Sequence, residues 1–568
     1  MKRIDMKKHD KRKKALKIKH LLPVIIAVLG IFLYLFFTDR EQFLSSINYV
    51  FSIHKNEIRY ETFDIYLNGL DEFFTAQVTE NLSKVEFQET KRFNFVDDVE
   101  DADLLIEYGT GENTVFTQHL LPVGHIYWIE DSIAMDSIEN GEYTVLLSEE
   151  GNGKYGDFLE SKYPGVIIES SSDLISDLED EGGEYVGLIE DSELSKEYKL
   201  LTIDNKYYLD TFDTGIEISL VVDLQDDNIN ISFVSNIIKK NIGLNSSDFS
   251  EDTVAKINMT GVTALTRRVL QAMDTRNDYD YPSEKIAEFL ADADITHTSN
   301  EVSFVEGCTS YSGIRFCSNP ESIAVLKAIG VDIVELTGNH NNDYGSQYNT
   351  ETIETYIDEG IEYFGGGLDS EDASEPYIVE VNETSIAFLG YNYYDAVVAG
   401  STNALAGESR AGANPYSESQ MKEDIEKVRD EVDIVIMDFQ YQECYSYPSS
   451  DVIYPVCYKP IGNQSNVFRK AIDYGADIII GTQAHQPQTY ELYEEGIIFY
   501  GLGNLFFDQS MWIGTRQGMI LTHYFKDGEL IQTKITPTMY DSNLQVEVAD
   551  EEDSELLLEL LSTARESL

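Results

Sequence analysis

The sequence predicts an α/β protein in which a membrane-spanning helix precedes a smaller α/β domain and a larger C-terminal α/β domain. The chain has 568 residues, of which 42% are hydrophobic, so it is long and apolar enough to bury two or three cores. Short apolar runs alternate with polar, helix-like stretches along most of its length. This alternation is typical of α/β domains. The third observation is a basic segment followed directly by an apolar run at the N-terminus.

The N-terminal segment predicts a signal anchor. Residues 1–20 hold ten Lys or Arg, and the next seventeen residues, Leu21–Phe37, are uncharged and mostly apolar. At about 1.5 Å per residue, this run nearly spans a hydrocarbon core of roughly 30 Å. The positive-inside rule then keeps residues 1–20 cytoplasmic and places the chain after Thr38 outside the membrane. No small-residue cleavage site follows, so an uncleaved single-pass anchor at residues 21–38 is favoured over a removed signal peptide or a buried core helix.

Charge excludes one class of partner. The chain has 102 acidic and 41 basic residues and a formal net charge of −61. Such a field repels phosphate backbones, so we expect no nucleic-acid binding. Cations, basic polymers or a saline environment suit this surface better.

The four cysteines form two pairs that are close in sequence. Cys308 and Cys317 enclose eight residues, and Cys444 and Cys457 enclose twelve. Neither spacing is that of a C-x-x-C zinc motif. In an exported protein this pattern favours two local disulfides that constrain loops. Four buried thiols are the alternative.

Residues 39–245 predict the smaller, extracytoplasmic α/β domain. Its apolar runs include Asp103–Tyr108, Tyr143–Ser148 and Gly165–Ser170, which have the length and composition of buried strands. The stretch Tyr185–Asn205 is similar to the late part of extracytoplasmic solute-binding domains. The alternative is a module that only holds the next domain away from the membrane. A polar link, Asn245–Thr253, ends this domain.

Residues 254–548 contain strands that end in polar turns. The apolar runs begin near residues 331, 385, 432 and 476. In open α/β sheets, ligands bind beyond the carboxyl ends of the strands, so the polar residues there are candidate site residues, although turns alone also require such residues. These residues are Asn339, His340, Asp343, Gln440, Glu443, Gln483 and His485.

Three motifs carry a resemblance to a known family. They are G-N-H-N-N-D-Y-G at residues 338–345, G-T-Q-A-H-Q-P-Q at residues 481–488 and Y-G-L-G-N-L-F-F-D-Q at residues 500–509. Together with shorter matches, they resemble the CapA family of poly-γ-glutamate capsule biosynthesis proteins from about residue 257 to residue 509. The resemblance implies a metallophosphatase-like (calcineurin-like) α/β sandwich and a role with an anionic surface polymer.

The family site resembles a two-metal centre, and this chain keeps only part of it. Val262 stands where the family has a metal-binding Asp, Gln483 replaces the first His of an H-x-H turn, and Phe439 or Gln440 replaces another His. The resemblance implies that one divalent metal ion remains feasible. Its tentative ligands are Glu301, Asn339, His340 and His485. In the alternative, a metal-free site, His340 or His485 is a general acid or base with Glu301 or Glu443 as its partner.

The remaining polar residues of these motifs are candidates for binding the polymer. His340, His485 and Glu301 are the candidate catalytic residues. The substrate-binding candidates are Asn300, Asp343, Gln440, Tyr441, Glu443 and Gln483. Beyond residue 548, the apolar pattern of residues 549–568 predicts one closing helix.

Three functions are compatible with these residues. The leading hypothesis is a membrane-anchored, outward-facing protein of synthesis, export or attachment of an anionic or peptide-like surface polymer such as poly-γ-glutamate, working with other capsule-synthesis membrane proteins. The second is a metal-dependent hydrolase of phosphoester or amide bonds. The third is a catalytically inactive binding or scaffold protein that keeps the fold without the metals. The sequence contains no P-loop, G-x-S-x-G or H-E-x-x-H motif, so other hydrolase classes are not indicated.

Overall fold

The computed structural model describes residues 62–87, 90–91, 93–225, 230–309, 313–444 and 457–568. The predicted cytoplasmic segment and signal anchor at residues 1–38 lie outside these ranges. Among the residues that are described, no helix combines the length and the apolar character needed to cross a bilayer. The described residues divide into two compact units, one within residues 62–115 and 220–244 and the other within residues 116–219 and 245–568.

Residues 62–244 alternate between short strands and helices, as the apolar runs predict. In chain order the elements are β1 (Phe63–Asn68), α1 (Glu72–Leu82), β2 (Glu86–Phe87), β3 (Thr90–Lys91), β4 (Phe93–Phe95), β5 (Leu104–Tyr108), β6 (Thr114–His125), β7 (Ser132–Ile133), α2 (Met135–Glu139), β8 (Thr144–Ser148), α3 (Glu149–Lys162), β9 (Ile167–Ser171), α4 (Leu174–Glu181), β10 (Tyr185–Glu190), β11 (Tyr198–Leu200), β12 (Thr202–Ile203), α5 (Tyr208–Thr211), β13 (Ile216–Leu224) and α6 (Ile231–Asn241).

The first unit has a small sheet with helices packed on it. Strand β1 pairs in parallel with both β4 and β5, and β13 pairs with β5 in antiparallel orientation. Helix α1 begins after Asp71, whose carboxylate accepts a hydrogen bond from the amide of Phe74. Such an N-cap satisfies one of the free amides of the first turn.

Residues 116–219 of the second unit contribute strands β6, β8, β9 and β10. Strand β10 is antiparallel to β6 and parallel to β8, and β9 extends the sheet beyond β8. Its core includes Leu121, Leu200 and Tyr208, and Tyr524 from the larger part of the unit packs into the same cluster.

The larger part of the second unit follows the predicted strand and helix order. Its elements are β14 (Ala255–Thr263), α7 (Arg267–Arg276), α8 (Ala287–Ala291), β15 (Ile295–Asn300), α9 (Ile323–Ala328), β16 (Ile333–Glu335), α10 (Ser346–Glu359), β17 (Glu362–Phe364), β18 (Gly366–Gly367), α11 (Ser370–Ser374), β19 (Tyr377–Val381), β20 (Thr384–Asn392), a π-helical turn (Tyr394–Ala399), β21 (Gly412–Ala413), α12 (Glu418–Arg429), β22 (Ile434–Gln440), α13 (Gln464–Asp473), β23 (Ile478–Thr482), β24 (Pro487–Tyr493), β25 (Gly496–Leu502), β26 (Asn504–Phe506), α14 (Ile513–Arg516), β27 (Gln517–Lys526), β28 (Glu529–Tyr540), β29 (Val546–Val548) and α15 (Glu551–Arg565).

Two mixed sheets form this larger part, which we call the sandwich. One sheet has the strand order β17-β16-β15-β14-β27-β28-β29, with β26 beside β14, and the other has the order β19-β20-β22-β23-β25-β24. Strands β14 to β17 run parallel to one another, and so do β20, β22, β23 and β25. The carboxyl ends of each parallel group therefore lie along one edge of its sheet.

The side chains of each strand alternate between two cores. In β22, Ile434 and Ile436 lie in the core between the sheets, whereas Val435 and Met437 pack against helices α12 and α13. Helices α7 to α10 cover the opposite sheet. Each strand is thus apolar on both faces, which is why the sequence shows continuous apolar runs there instead of alternation.

The closing helix α15 corresponds to the apolar pattern of the C-terminal residues. Asp550 caps its N-terminus by accepting a hydrogen bond from the amide of Asp553. Leu557 and Leu561 pack into the core between the sheets, so this helix belongs to the body of the sandwich.

Both predicted disulfides are confirmed. Cys308 is bonded to Cys317, and Cys444 is bonded to Cys457. The first bond closes the chain between strand β15 and helix α9, and the second follows strand β22. Each therefore fixes a connection that leaves the carboxyl end of a strand, which is where the candidate site residues lie.

Candidate functional site

The layer between the two sheets becomes polar toward the carboxyl ends of the strands. Side chains two residues apart on a strand share a face, so Asp438 and Gln440 continue the inward face of Ile434 and Ile436. In the same way, Glu335 follows Ile333 on the inward face of β16. All of these side chains are buried. A buried polar layer therefore lies beneath the strand ends.

His297 and Asp438 connect the two sheets within this layer. His297 Nε2 lies 3.1 Å from Asp438 Oδ2, and both side chains are fully buried. Glu335 lies close to them, accepting a hydrogen bond from the amide of Thr337. Burial raises the pKa of Glu335 to about 8, and the nearby Asp438 carboxylate adds to this shift. The sequence analysis did not select these three residues, because they lie inside runs that are typical of buried strands.

Glu301 follows strand β15, and its carboxyl group is buried without hydrogen bonds to the described residues. It is 1% exposed, and neither carboxyl oxygen has a hydrogen-bond partner among the described residues. Burial raises its pKa to about 7, against the opposing effect of His340. Gly338 is required beside it, because a Cβ atom there would lie 2.5 Å from the Cα atom of Glu301. The glycine before Asn339 and His340 therefore allows the two turns to approach each other.

His340 and Asp343 form a pair at the mouth of the site. His340 Nδ1 lies 2.7 Å from Asp343 Oδ2, and the same oxygen accepts a hydrogen bond of 2.7 Å from the amide of Phe316. The Phe316 ring packs on the imidazole, with 4.1 Å between the ring centroids. Burial lowers the pKa of His340, but the Asp343 hydrogen bond and the carboxylates of Glu301 and Glu443 outweigh it, so the net shift is upward. His340 is thus held toward its cationic form.

His485 is buried and neutral. Its Nδ1 lies 2.8 Å from Asn504 Oδ1, while Asn504 Nδ2 donates to the carbonyls of His485 and Thr515. Because the Asn504 amide nitrogen already donates twice, its oxygen is the acceptor and His485 Nδ1 carries the hydrogen. Burial lowers the pKa of His485 to about 4, so the ring is uncharged near neutral pH and its Nε2 is an acceptor atom.

The turn that carries His485 has an unusual backbone. Gln483 and His485 have φ values of 77° and 54°, in the left-handed region that non-glycine residues seldom adopt. Strained backbone of this kind is concentrated at functional sites, where the surrounding contacts hold it. The contact of His485 with Asn504 is one such contact.

Arg267 supplies a second cation. Its guanidinium lies between two aromatic rings, 4.8 Å from the centroid of Phe316 and 4.6 Å from that of Phe507. It pairs with Asp508, and its Nε is buried without a hydrogen-bond partner. The Arg267 charge acts on the pKa values of both Glu301 and His485. Arg267 therefore belongs electrostatically to the same site.

A row of amides links the remaining strand ends. Asn392 Nδ2 donates to Gln440 Oε1 at 2.7 Å, and Gln440 Nε2 donates to Gln483 Oε1 at 2.8 Å and to Asn339 Oδ1 at 3.1 Å. Gln483 Nε2 donates in turn to Glu443 Oε1 at 3.4 Å. Gln440 and Gln483 are fully buried. Because these bonds occupy their amide groups, their first role is to fix the positions of Asn339 and Glu443.

Two predicted binding residues point elsewhere. The amide nitrogen of Asn300 donates to the carbonyl of Val302 and to the hydroxyl of Tyr356 on helix α10. Tyr441 is 2% exposed, and its ring stacks on that of Tyr393 at 4.4 Å. Asn300 follows Ser299 on β15 and so takes the opposite face of the strand, while Tyr441 belongs to the core next to helix α13. The structure brings together Glu301, Asn339, His340, Asp343, Gln440, Glu443, Gln483 and His485, and it does not bring these two into that group.

The described residues contain no complete set of ligands for the predicted metal ion. Among them, no three His, Cys, Asp or Glu side chains are grouped so that they could hold one metal. Each predicted imidazole is held at Nδ1 by a protein partner, Asp343 for His340 and Asn504 for His485, so Nε2 is the only ring atom that could act as a metal ligand. Val262 is buried at the position of the family carboxylate, where it offers no ligand atom. The chemistry that this arrangement supports is proton transfer and hydrogen bonding by Glu301 and His340.

Sequence reasoning missed Arg267, Phe316 and Asn504 as site residues. Arg267 ends the segment G-V-T-A-L-T-R, and a cation at the end of a resembling motif in such an acidic chain is a signal that could have found it. Phe316 has no comparable signal, because its role depends on the loop closed by Cys308 and Cys317.

Comparisons with known proteins agree with the position of the sandwich. Residues 256–509 match the family model described as "Bacterial capsule synthesis protein PGA_cap". The chain is 26% identical over 296 residues to the capsule biosynthesis protein CapA of Bacillus anthracis, covering 50% of this chain and 68% of that protein. It is 28% identical over 225 residues to the PGA biosynthesis protein CapA of Bacillus subtilis (strain 168), covering 39% of this chain and 55% of that protein.

A solved structure is also similar to part of the chain. It is the calcineurin-like phosphoesterase YfkN from Bacillus subtilis, with 14% identity and a TM-score of 0.28, covering 55% of this chain and 99% of that chain. The family model spans strands β14 to β26 and with them the site residues from Arg267 to Asn504. Residues 256–509 therefore match the family of bacterial capsule synthesis proteins, and over this segment the chain is similar to CapA proteins.

Proposed function

We propose that this protein acts in the synthesis, export or attachment of an anionic surface polymer of the poly-γ-glutamate type, and that the polymer is held at the strand ends of the sandwich. The chain is anchored by residues 21–38, with residues 1–20 in the cytoplasm and the two units outside the membrane. Its sandwich is of the metallophosphatase-like type. Two packed sheets, flanked by helices and with polar side chains at the carboxyl ends of parallel strands, support this assignment.

The observation that carries the proposal is the environment of Glu301. A buried carboxyl without a hydrogen-bond partner lies near two cations, His340 and Arg267. Because the pKa of Glu301 is about 7, an approaching anion keeps it protonated, and it then donates a hydrogen bond to that anion. A carboxylate or amide oxygen of the polymer supplies the acceptor that Glu301 lacks within the protein.

Arg267 and His340 provide local positive charge in a protein whose net charge is −61. A polyanion is repelled by most of this surface, so attraction must be local. Arg267 and His340 are each paired with one carboxylate, Asp508 and Asp343. A guanidinium has five N–H donors, so Arg267 can bind a second carboxylate without releasing Asp508.

Binding of the polymer tests this proposal. The full chain in detergent micelles is titrated into fluorescein-labelled poly-γ-glutamate, and binding is followed by fluorescence polarisation. We expect Arg267→Gln and His340→Gln each to weaken binding by about tenfold, the usual effect of losing one charge-assisted hydrogen bond. Arg276→Gln is the matched control, since Arg276 ends the same helix, α7, over the ring of Tyr281. Equal affinities of all four proteins would contradict the proposal.

A second candidate function is an acid–base step on an amide bond of the polymer. Glu301 favours it, because a carboxyl with a pKa near the working pH is suited to proton transfer. The test is release of glutamate or of shorter chains from poly-γ-glutamate by the wild type, compared with Glu301→Gln. Polymer binding without release of any product would contradict the acid–base function and support binding as the sole function.

A further inference from the structure

A cavity in the second unit lies apart from the candidate site. It has a volume of about 170 Å³ and is formed by residues 126–207 on one side and by strand β28 with the start of helix α15 on the other. None of the candidate site residues lines it. Its lining includes Asp131, Lys199, Tyr207, Gln532, Lys534 and Thr536.

Three side chains that line this cavity have polar atoms without a partner. Tyr207 Oη, Gln532 Nε2 and Thr536 Oγ1 are buried, and none has a hydrogen-bond partner among the described residues. Buried polar atoms are nearly always paired in folded proteins, so an exception requires an explanation such as a ligand or an ordered water. Three exceptions around one cavity point to a common cause.

Two lysines give the cavity its charge. The ammonium of Lys534 lies 4.1 Å from the centroid of the Tyr207 ring and 3.4 Å from Asp210 Oδ2. Lys199 Nζ donates to the carbonyls of Trp128 at 2.9 Å and Ile129 at 3.0 Å, and it also pairs with Asp131. The ammonium of Lys199 is therefore already bound by three groups of the protein. Lys534 has one long ion pair and is the cation that remains able to bind another group.

The available groups are mostly hydrogen-bond donors. An ammonium and an amide nitrogen donate only, and the two hydroxyls donate or accept. A ligand that satisfies them must offer several acceptor atoms, as a carboxylate does. A cavity of about 150 Å³ is known to hold a molecule of the size of benzene, so this cavity suits an organic acid of about six to ten non-hydrogen atoms.

We propose that this cavity is a binding site for a small carboxylate of the size of an amino acid or a dicarboxylic acid, held by Lys534, Gln532, Tyr207 and Thr536. The site is independent of the proposed polymer-binding function, because it shares no residue with the strand-end site. It joins residues 126–207 to strand β28 within the same unit, so an occupied cavity stabilises the packing between these segments.

Calorimetric titration of the full chain in detergent micelles with glutarate and L-glutamate tests the proposal. We expect saturable binding of at least one of them with one site per chain, and no binding of 1,5-diaminopentane, which has the same carbon chain as glutarate but opposite charge. A Kd of about 1 mM is at the weak end of ligand affinities. If neither acid shows saturable binding at concentrations tenfold above this value, the proposal is overturned and water is the occupant of the cavity.

Variants locate the binding. We expect Tyr207→Phe and Lys534→Gln to weaken binding by about tenfold each, whereas Lys285→Gln, a lysine paired with Asp541 on the surface, should leave it unchanged. Tyr207→Phe removes an unpaired hydroxyl, so the thermal midpoint without ligand should stay the same or rise, which separates loss of binding from loss of folding. Binding that is lost in Arg267→Gln but kept in Tyr207→Phe and Lys534→Gln would assign the acid to the strand-end site and overturn the proposal.

Discussion

Asp343 Oδ2 accepts from the amide of Phe316 and lies 2.7 Å from His340 Nδ1, so one carboxylate oxygen both holds a loop and sets the charge of an imidazole. The pKa of His340 is raised as a result. Within the candidate site this pair is partly exposed, whereas Glu301 and His485 are buried. In the proposed binding of an anion, the charge of His340 is therefore accessible from solvent.

Asp343→Asn should shift the pH dependence of polymer binding. The His340 pKa lies above its ordinary value in the wild type, so His340 is cationic below that pKa and binding declines as pH rises through it. Without the Asp343 carboxylate the pKa of His340 falls, because a hydrogen bond and a negative charge that raise it are both lost. We expect the midpoint of binding against pH to move down by about one unit, the typical effect of one close charge partner.

Fluorescence polarisation between pH 5 and pH 9 measures this midpoint. Arg267→Gln serves as the control, since it weakens binding without changing the imidazole or its Asp343 partner. A midpoint that is the same in Asp343→Asn and in the wild type would show that His340 does not set the pH dependence.

Glu301→Gln should make the protein more stable at high pH. The pKa of Glu301 is raised from 4.5 to about 7 by burial. Below pH 4.5 both folded and unfolded states are protonated, and as pH rises toward 7 the unfolded state gains charge first, which favours unfolding. Above pH 7 the cost is complete, on the order of 3 kcal/mol. Glutamine has no such cost.

Thermal midpoints of the wild type and of Glu301→Gln at pH 5 and pH 8 test this prediction. The difference between the two proteins should be larger at pH 8, with the variant the more stable. Glu306→Gln, an exposed loop glutamate, is the matched control and should show no such difference. A variant that loses stability equally at both pH values would contradict the assigned ionisation of Glu301.

Loss of the Cys308–Cys317 disulfide should affect both stability and binding. The bond spans nine positions, and such a loop constraint is typically worth about 2 to 3 kcal/mol. Phe316, next to Cys317, packs on His340 and under Arg267. We therefore expect the double variant Cys308→Ala with Cys317→Ala to melt at lower temperature and to bind the polymer several-fold more weakly.

The same double substitution at Cys444 and Cys457 is the comparison, because it removes a disulfide without touching Phe316. Differential scanning calorimetry and the polarisation assay report the two effects separately. Unchanged affinity after loss of Cys308–Cys317 would mean that Phe316 keeps its place without the bond.

The sequence predicted most of the sandwich because its strands are marked twice, by apolar runs and by the polar turns that end them. The runs ending at Gln440 and Thr482 are strands β22 and β23. Because polar turns follow the carboxyl ends of these strands, the sequence also predicted that His340, Glu443 and His485 lie at that edge of the sheets. It could not separate Asn300 from Glu301, because the face that a side chain takes at the end of a strand depends on the pairing of β15 with β14 and β16.

Other features depend on contacts between distant segments. His297 and Asp438 are 141 positions apart and meet only because the two sheets face each other. Arg267 becomes a site residue through Phe316 and Phe507, which approach it from two different loops. Neither relationship leaves a local pattern in the sequence.

Metal binding should be absent from the wild type and should appear when the missing ligands are restored. Val262 is buried, and its Cα atom is in register with Ser299 on one side and with Asn504, the partner of His485, on the other. An aspartate at this position adds a carboxylate on the strand that lies between β15, which Glu301 follows, and β26, which carries Asn504. Gln483→His adds an imidazole in the same turn as His485. Four ligands of these types are the usual requirement of a closed metal site.

Elemental analysis and thermal melting of the double variant Val262→Asp with Gln483→His test this prediction. We expect about one Mn²⁺ or Zn²⁺ per chain in the variant and well below one in the wild type. Because a buried aspartate without a partner is destabilising, the metal-free variant should melt below the wild type and recover when metal is added. Val262→Asn with Gln483→His, which has the same shape without the charge, should recover much less. Stoichiometric metal in the wild type that is lost in His340→Ala and His485→Ala would instead show that the wild-type ligands already suffice.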